Sequence, residues 1–111
     1  MSELAKTGPC AGLRVLDFGR LVAGPYCALI LSDLGAEVIK VEEPDGDHMR
    51  GNPANGHNGI VAGFEQYNHG KKSFVADLRT PTGIAAARAL IDTADVLVEN
   101  FRPGVMEKYG L

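Results

Sequence analysis

Short β-branched and aliphatic runs alternate along this chain with stretches whose apolar positions recur every three or four residues. Leu13-Arg14-Val15-Leu16-Asp17-Phe18 reads as a strand with partial alternation, followed by a glycine-bounded turn from Gly19 to Gly24. Pro25 stands where a helix accepts proline, in its first turn, because the missing N–H would have had no partner there. Cys27, Ile30, Leu31 and Leu34 then recur at helical spacing, which predicts that they form the buried face, and Gly35 supplies a left-handed stop. Glu37 to Glu42 is a second strand. The pattern returns with a strand from Ser73 to Leu78, after which Thr80 offers an N-cap hydroxyl and Pro81 the first helical position. Ile84, Ala87, Leu90, Ile91 and Ala94 line one helical face up to residue 94, and Val96-Leu97-Val98 reads as a buried strand. Pro103 to Tyr109 begins a helix that Gly110 stops. Alternating β and α elements, with connections long enough for right-handed crossovers, predict an α/β fold: a Rossmann-like parallel sheet with flanking helices. Pro44 to Gly70 is rich in Gly, Asn, Asp and His, breaks this pattern, and is expected to be a long functional or mobile loop without regular structure.

Composition narrows the class. A chain of 111 residues suffices for one domain, and 45% hydrophobic with 23% charged residues is globular composition. The net charge of −3 argues against a nucleic-acid partner, which calls for a basic face. No apolar run approaches the roughly 20 residues of a membrane span. Met1 to Ala11 carries acidic Glu3 and no apolar core, so no export signal is expected and the cytoplasm is the default. Cys10 and Cys27 lack metal-ligand spacing and are expected to stay unpaired, Cys27 acting as a small apolar residue in its helix.

Three places could hold a ligand. The turn Gly19-Arg20-Leu21-Val22-Ala23-Gly24 meets a helix N-terminus, whose free N–H groups attract phosphate or carboxylate. It contains neither the G-x-G-x-x-G fingerprint of a nicotinamide dehydrogenase nor the Lys-Ser/Thr of an ATPase phosphate loop. Lys71, Lys72 and Arg79 flank a strand and could pair with phosphates, although such lysines also serve as solvated edge charge. Asn100-Phe101-Arg102-Pro103-Gly104 follows a strand at its carboxyl end, where open α/β sheets bind ligands; Asn could pair with a base, Phe stack on it and Arg reach phosphate. His48, His57 and His69 match no zinc spacing, so no metal is expected, and Glu42, Glu43, Asp45 and Asp47 read as turn formers and solvated charge. The residues describe a binding half with no evident reacting group.

These motifs resemble the class III CoA-transferases, which include formyl-CoA and carnitine CoA-transferases and share their fold with α-methylacyl-CoA racemases. The likeness runs through Gly12 to Phe18, Ala23 to Cys27, Asp33 to Glu42, Gly46-Asp47, Arg50, Asn68, Lys71 to Ser73, Thr80-Pro81, Gly83, Ala94 to Gly104 and Tyr109 to Leu111. It implies that residues 1–111 form an N-terminal CoA-binding segment that ends before the family's catalytic aspartate, so no catalytic residue is expected here.

The resemblance further implies coenzyme A or acyl-CoA as substrate, a carboxylic acid as co-substrate, and two interlocked chains as a homodimer. CoA contacts carried over by motif are Leu21, Val22 and Ala23 in the first turn, and Ala76 and Arg79 by the adenosine and phosphates. Asn100, Phe101 and Val105 would lie on the adenine side, with Lys108 near phosphate. Val22 stands where formyl-CoA transferases carry glutamine, which argues against that substrate, and Glu43 stands where they carry arginine. Transfer through an aspartyl-CoA thioester is the first expectation. An acyl-CoA racemase is the alternative, and a non-catalytic CoA-binding remnant the third reading.

Overall fold

In the computed structural model, which describes residues 7–51, 56–57 and 60–111, Arg14–Asp17 (β1) forms a strand that places Val15 and Leu16 on opposite faces of one sheet. Residues 1–6, part of the segment read as lacking an export signal, lie outside the described residues. Helix α1 (Ala23–Asp33) leads to β2 (Glu37–Glu42), with the predicted bounds, and Gly35 turns the chain at a φ of 107°. After the long connection come β5 (Lys72–Val75), α3 (Pro81–Ile91), β6 (Val96–Val98) and α4 (Val105–Lys108). The sheet is parallel throughout, in the order β5-β2-β1-β6. The predicted α/β parallel sheet is therefore the observed one.

Period-two alternation assigns the faces. Val15 and Val38 point to α1 and pack with Ala28 and Ala36, whereas Leu16, Phe18, Ile39 and Val41 point the other way and pack with Ala76, Leu78 and Ala87 of α3. Thr80 caps α3 as expected: its hydroxyl oxygen accepts from the Gly83 N–H at 3.0 Å, with Pro81 in the first turn.

Five expectations are corrected. Cys27, Ile30 and Leu34 do not form the buried face of α1; all three are exposed, and Leu31 is only partly buried. The face against the sheet is Gly24, Pro25, Ala28 and Leu29, mostly small residues that let helix and sheet approach closely. The third long strand runs from Lys72 to Val75, not Ser73 to Leu78, because after the Ala76 N–H donates to the Glu42 carbonyl the chain leaves the ladder and buries Ala76 and Leu78 in the core. Helix α3 stops at Ile91, where the Thr93 hydroxyl donates to the Leu90 carbonyl, although Ala94 still packs against the same cluster. β6 is an edge strand with Leu97 exposed, so its apolar run does not signal burial within this chain.

The fifth correction concerns the long connection. It is not without structure: it holds a 3₁₀ turn at His48–Gly51, a minimal antiparallel pair β3 (Gly56–His57) and β4 (Ile60–Val61), and helix α2 (Ala62–Asn68). Residues 52–55 and 58–59 of that stretch lie outside the described residues. α2 docks on α1 through an edge-to-face contact of Tyr67 with Tyr26, their ring centroids 6.2 Å apart. The surrounding Gly, Asn and His residues masked a helix too short to show periodicity. Cys10 and Cys27 are both free thiols.

Candidate functional site

Sheet order locates the site. The chain proceeds from β1 outward through β2 to β5, then returns to the other side of β1 for β6. The reversal leaves a crevice between the loops after β1 and β6, at their carboxyl ends, where open α/β sheets bind ligands. Residues after β1, β2 and β6 line a cavity of about 530 Å³: Arg20, then Glu43, Asp45, Asp47 and His48, then Phe101. A groove of about 650 Å³ also runs along α3 from Arg79 to Asp92, but one helix face supplies its walls. The crevice has three converging loops and is the better candidate.

The turn after β1 is tightly held. Gly19 and Gly24 approach so closely that a Cβ on Gly19 would lie 2.7 Å from the Gly24 Cα, so neither position admits a side chain without moving the other. The Gly19 N–H donates to Asp17 Oδ1 at 2.7 Å, and the Gly19 carbonyl accepts from Lys40 Nζ at 3.1 Å. Asn100, reaching over from the loop after β6, accepts from the Arg20 N–H and donates to the Arg20 carbonyl, at 2.8 and 3.0 Å. The Arg20 guanidinium donates through Nη1 to the Phe18, Gly19 and Val41 carbonyls, lies 5.4 Å from the Phe101 ring centre, and keeps a buried Nη2 without a hydrogen-bond partner among the described residues. α1 starts at this turn without a side-chain hydrogen bond from its N-cap Val22 among the described residues.

Beneath the turn lies a buried ionic cluster. Strand register sets Asp17 opposite Lys40, both pointing to the α1 face. Lys40 Nζ lies 3.9 Å from Asp17 and 3.1 Å from Asp47. Lys71 Nζ donates to Asp17 Oδ2, the Pro25 carbonyl and Asn68 Oδ1 at 2.7, 2.9 and 2.7 Å, which uses all the protons of an ammonium group. Arg50 forms a two-pronged pair with Glu42 and lies 3.7 Å from the Phe64 ring centre. Glu42 and Asp47 are thus buried, correcting their reading as solvated turn residues.

The chain matches the family model described as CoA-transferase family III over residues 10–111. It belongs to that family. It is 47% identical over 110 residues to succinate–glutarate CoA-transferase of Agrobacterium fabrum, covering 93% of this chain and 28% of the relative. It is 49% identical over 110 residues to the probable fatty acyl-CoA transferase Rv3272 of Mycobacterium tuberculosis, covering 93% of this chain and 27% of that protein. A crystal structure of Rv3272 superposes on 96% of this chain and 29% of its own with a TM-score of 0.85 and 47% identity. The structure of a CAIB/BAIF family protein from Brucella suis does so with a TM-score of 0.87 and 44% identity, again over 96% and 29% of the two chains. The chain thus spans just over a quarter of the length of these relatives.

Within this CoA-transferase family III chain, the residues picked out by motif fall into two groups. Leu21, Val22 and Ala23 are exposed on the first turn, with Asn100 and Phe101 beside them across the crevice and Val105 and Lys108 following on α4. Ala76 and Arg79 follow β5, two strand spacings from β1, or about 10 Å along the sheet edge. Ala76 is buried, and exposed Arg79 is engaged by Asp77 at 3.0 Å, which holds the Asp77 carboxyl below its ordinary value. Lys71 and Lys72, entertained as phosphate ligands, are otherwise employed: Lys71 is buried in the cluster, and Lys72 pairs with Glu37 at 2.7 Å.

Sequence reasoning gave Arg20 no role of its own within its turn, read Asp47 as solvated although it lines the crevice, and missed Lys40 as a buried partner. The legible signal was a charged residue between apolar neighbours at one inward-facing position of each strand, Asp17 between Leu16 and Phe18 and Lys40 between Ile39 and Val41. Burial acts to raise the Asp47 and Glu42 pKa values, but both end below the ordinary carboxylate range. For Asp47 the Met49 and Leu21 N–H groups and Lys40 outweigh burial, and for Glu42 it is Arg50 and the Asp47 N–H. Burial pushes the Lys71 ammonium below its usual value, against the pull of Asp17. Among the described residues no cluster of His, Cys, Asp and Glu could hold a metal ion.

Proposed function

We propose that this chain is the CoA-binding part of a CoA-transferase that moves coenzyme A between an acyl-CoA donor and a carboxylic acid. The observation that carries the reading is the crevice at the strand-order reversal, with the exposed Leu21-Val22-Ala23 turn on one side and Phe101 on the other. The turn offers N–H groups and apolar surface to an acyl thioester, and Phe101 offers a ring face to adenine. Arg79 and Lys108 are exposed cations suited to the phosphates, Arg79 exchanging Asp77 for a phosphate oxygen. Asn100 serves the site by holding Arg20, since its amide groups are engaged there.

On this reading the nucleophile is an aspartate carboxylate supplied by the remainder of the whole protein. It attacks the acyl-CoA carbonyl and expels CoA thiolate, leaving an acyl-aspartyl anhydride. The thiolate attacks the aspartyl carbonyl, releasing the donor acid and leaving an aspartyl-CoA thioester, from which the acceptor acid takes CoA. The names of the relatives favour transfer over racemisation. A homodimer belongs to the same proposal, supported by the exposed apolar face of α1 at Tyr26, Ile30 and Leu34. So does a cytoplasmic location, with which two free thiols accord.

The test is calorimetric titration of the full chain with CoA at several salt concentrations. Binding is expected, and Arg79→Ala with Lys108→Ala should weaken it and flatten its salt dependence. Unchanged affinity in the double variant would sink the phosphate assignment, and a native chain that binds no CoA would sink the reading as a whole.

A further inference from the structure

Among the described residues, Leu21 is the one non-glycine residue with a positive φ, 64°. A leucine resists this left-handed conformation because its Cβ crowds the following carbonyl, a bias of about tenfold or more in population. Something must therefore hold it there. Asn100 fixes the backbone of Arg20 on its amino side. On Leu21 itself the N–H donates to the Asp47 carboxylate, with Oδ2 at 3.2 Å and Oδ1 at 3.3 Å.

Asp47 is in turn immobilised. Its side chain is fully buried, its Oδ2 lies 3.1 Å from Lys40 Nζ, its Oδ1 accepts from the Met49 N–H at 3.0 Å, and its own N–H donates to Glu42 Oε2 at 2.8 Å. Lys40 also donates to the Gly19 carbonyl, so one ammonium ties both the clamp and the turn to β2. The side chains so presented are not core residues: Leu21 and Val22 are each 45% exposed. A strained backbone that presents exposed apolar groups, held by a carboxylate from another loop, is arranged for what it displays.

We propose that Asp47 is a positioning residue: its carboxylate, anchored by Lys40, keeps Leu21 left-handed and so aims the Leu21-Val22-Ala23 turn at the bound acyl-CoA. This rests on the CoA-binding reading above, and Asp47 acts through Leu21 rather than by touching the ligand. It also gives the Gly46-Asp47 pair in the connection after β2 a task that neither composition nor loop length suggested.

The experiment is a double-mutant cycle of Asp47→Asn and Leu21→Gly in the full chain, read by Leu21-region amide exchange and by calorimetric CoA titration. Asp47→Asn should speed exchange of the residue-21 amide and weaken CoA binding, each by about tenfold. In the Leu21→Gly background, where the left-handed conformation meets no Cβ, the same change should cost much less. An equal loss in both backgrounds overturns the proposal, because Asp47 would then act through the fold at large. An Asp47→Asn protein with native exchange and affinity overturns it as well.

If Asp47→Asn fails to fold by circular dichroism, Leu21→Val and Leu21→Asn decide. β-Branched valine is the poorer fit to a positive φ and asparagine the better, so CoA should bind the Asn variant more tightly despite valine's chemical likeness to leucine. The reverse ranking overturns the proposal. A native chain that binds no CoA removes the functional reading, while amide exchange still reports whether Asp47 holds the turn.

Discussion

The side-chain amide of Asn100 pairs with both backbone groups of Arg20, bridging 80 residues of sequence to join the loops after β1 and β6. This contact spans the crevice at the reversal of strand order, so the two halves of the sheet edge are tied there. Replacing Asn100 with Ala removes both hydrogen bonds and should lower stability by about 1–2 kcal/mol in urea denaturation. A role confined to ligand contact would leave stability unchanged, so a native unfolding midpoint for this variant would contradict the structural tie.

Lys71 and Lys72 are neighbours in sequence and opposites in environment. Lys71 is buried against Asp17, whereas the Lys72 side chain is about half exposed beside Glu37. Lys71→Met strands the Asp17 carboxylate with less than its full complement of partners and should cost about 3 kcal/mol or more. Lys72→Met should cost about 1 kcal/mol or less, since an exposed pair is weakened by solvent and salt. Thermal or urea unfolding of the two variants side by side checks this; equal losses would show that the cluster contributes no more than surface charge.

Acid should unfold the protein through its buried carboxylates. Burial opposes the charged forms of Asp47 and Glu42, but their hydrogen bonds and cationic partners prevail and hold both below the ordinary carboxylate range. Their folded pKa values are thus lower than the unfolded ones, and below the unfolded values the unfolded chain takes up more protons. The stability they contribute is present above about pH 4, the unfolded value, and is lost as pH falls through the folded values. Urea midpoints followed by circular dichroism should be level near neutrality and decline below about pH 4. A decline that is no gentler in an Asp47→Asn, Glu42→Gln double variant would assign the acid transition to other groups.

Much of this fold is written locally. β2 appears at its predicted residues because a β-branched run flanked by Gly35 and Pro44 has few other options, and Thr80-Pro81 starts α3 because a cap hydroxyl and a missing N–H act within one turn. The loops that line the crevice could be named in advance because a parallel sheet gathers the carboxyl ends of its strands along one edge. The buried face of α1 could not. Helical spacing identifies several apolar stripes, and which of them meets the sheet depends on where small residues permit close approach.

The amino-acid sequence by itself determined the order and type of the main elements, the parallel sheet, and, through its motifs, the family. Tertiary structure alone decided that Asp17, Lys40, Asp47 and Lys71 share one buried cluster and that Leu21 is left-handed above it. The division has a physical cause. Propensity, capping and turn chemistry act over a few residues and leave local marks, whereas charge burial and backbone strain depend on groups that only folding brings together. A buried lysine and a solvated one are the same letter until the sheet, α1 and α2 close around one of them.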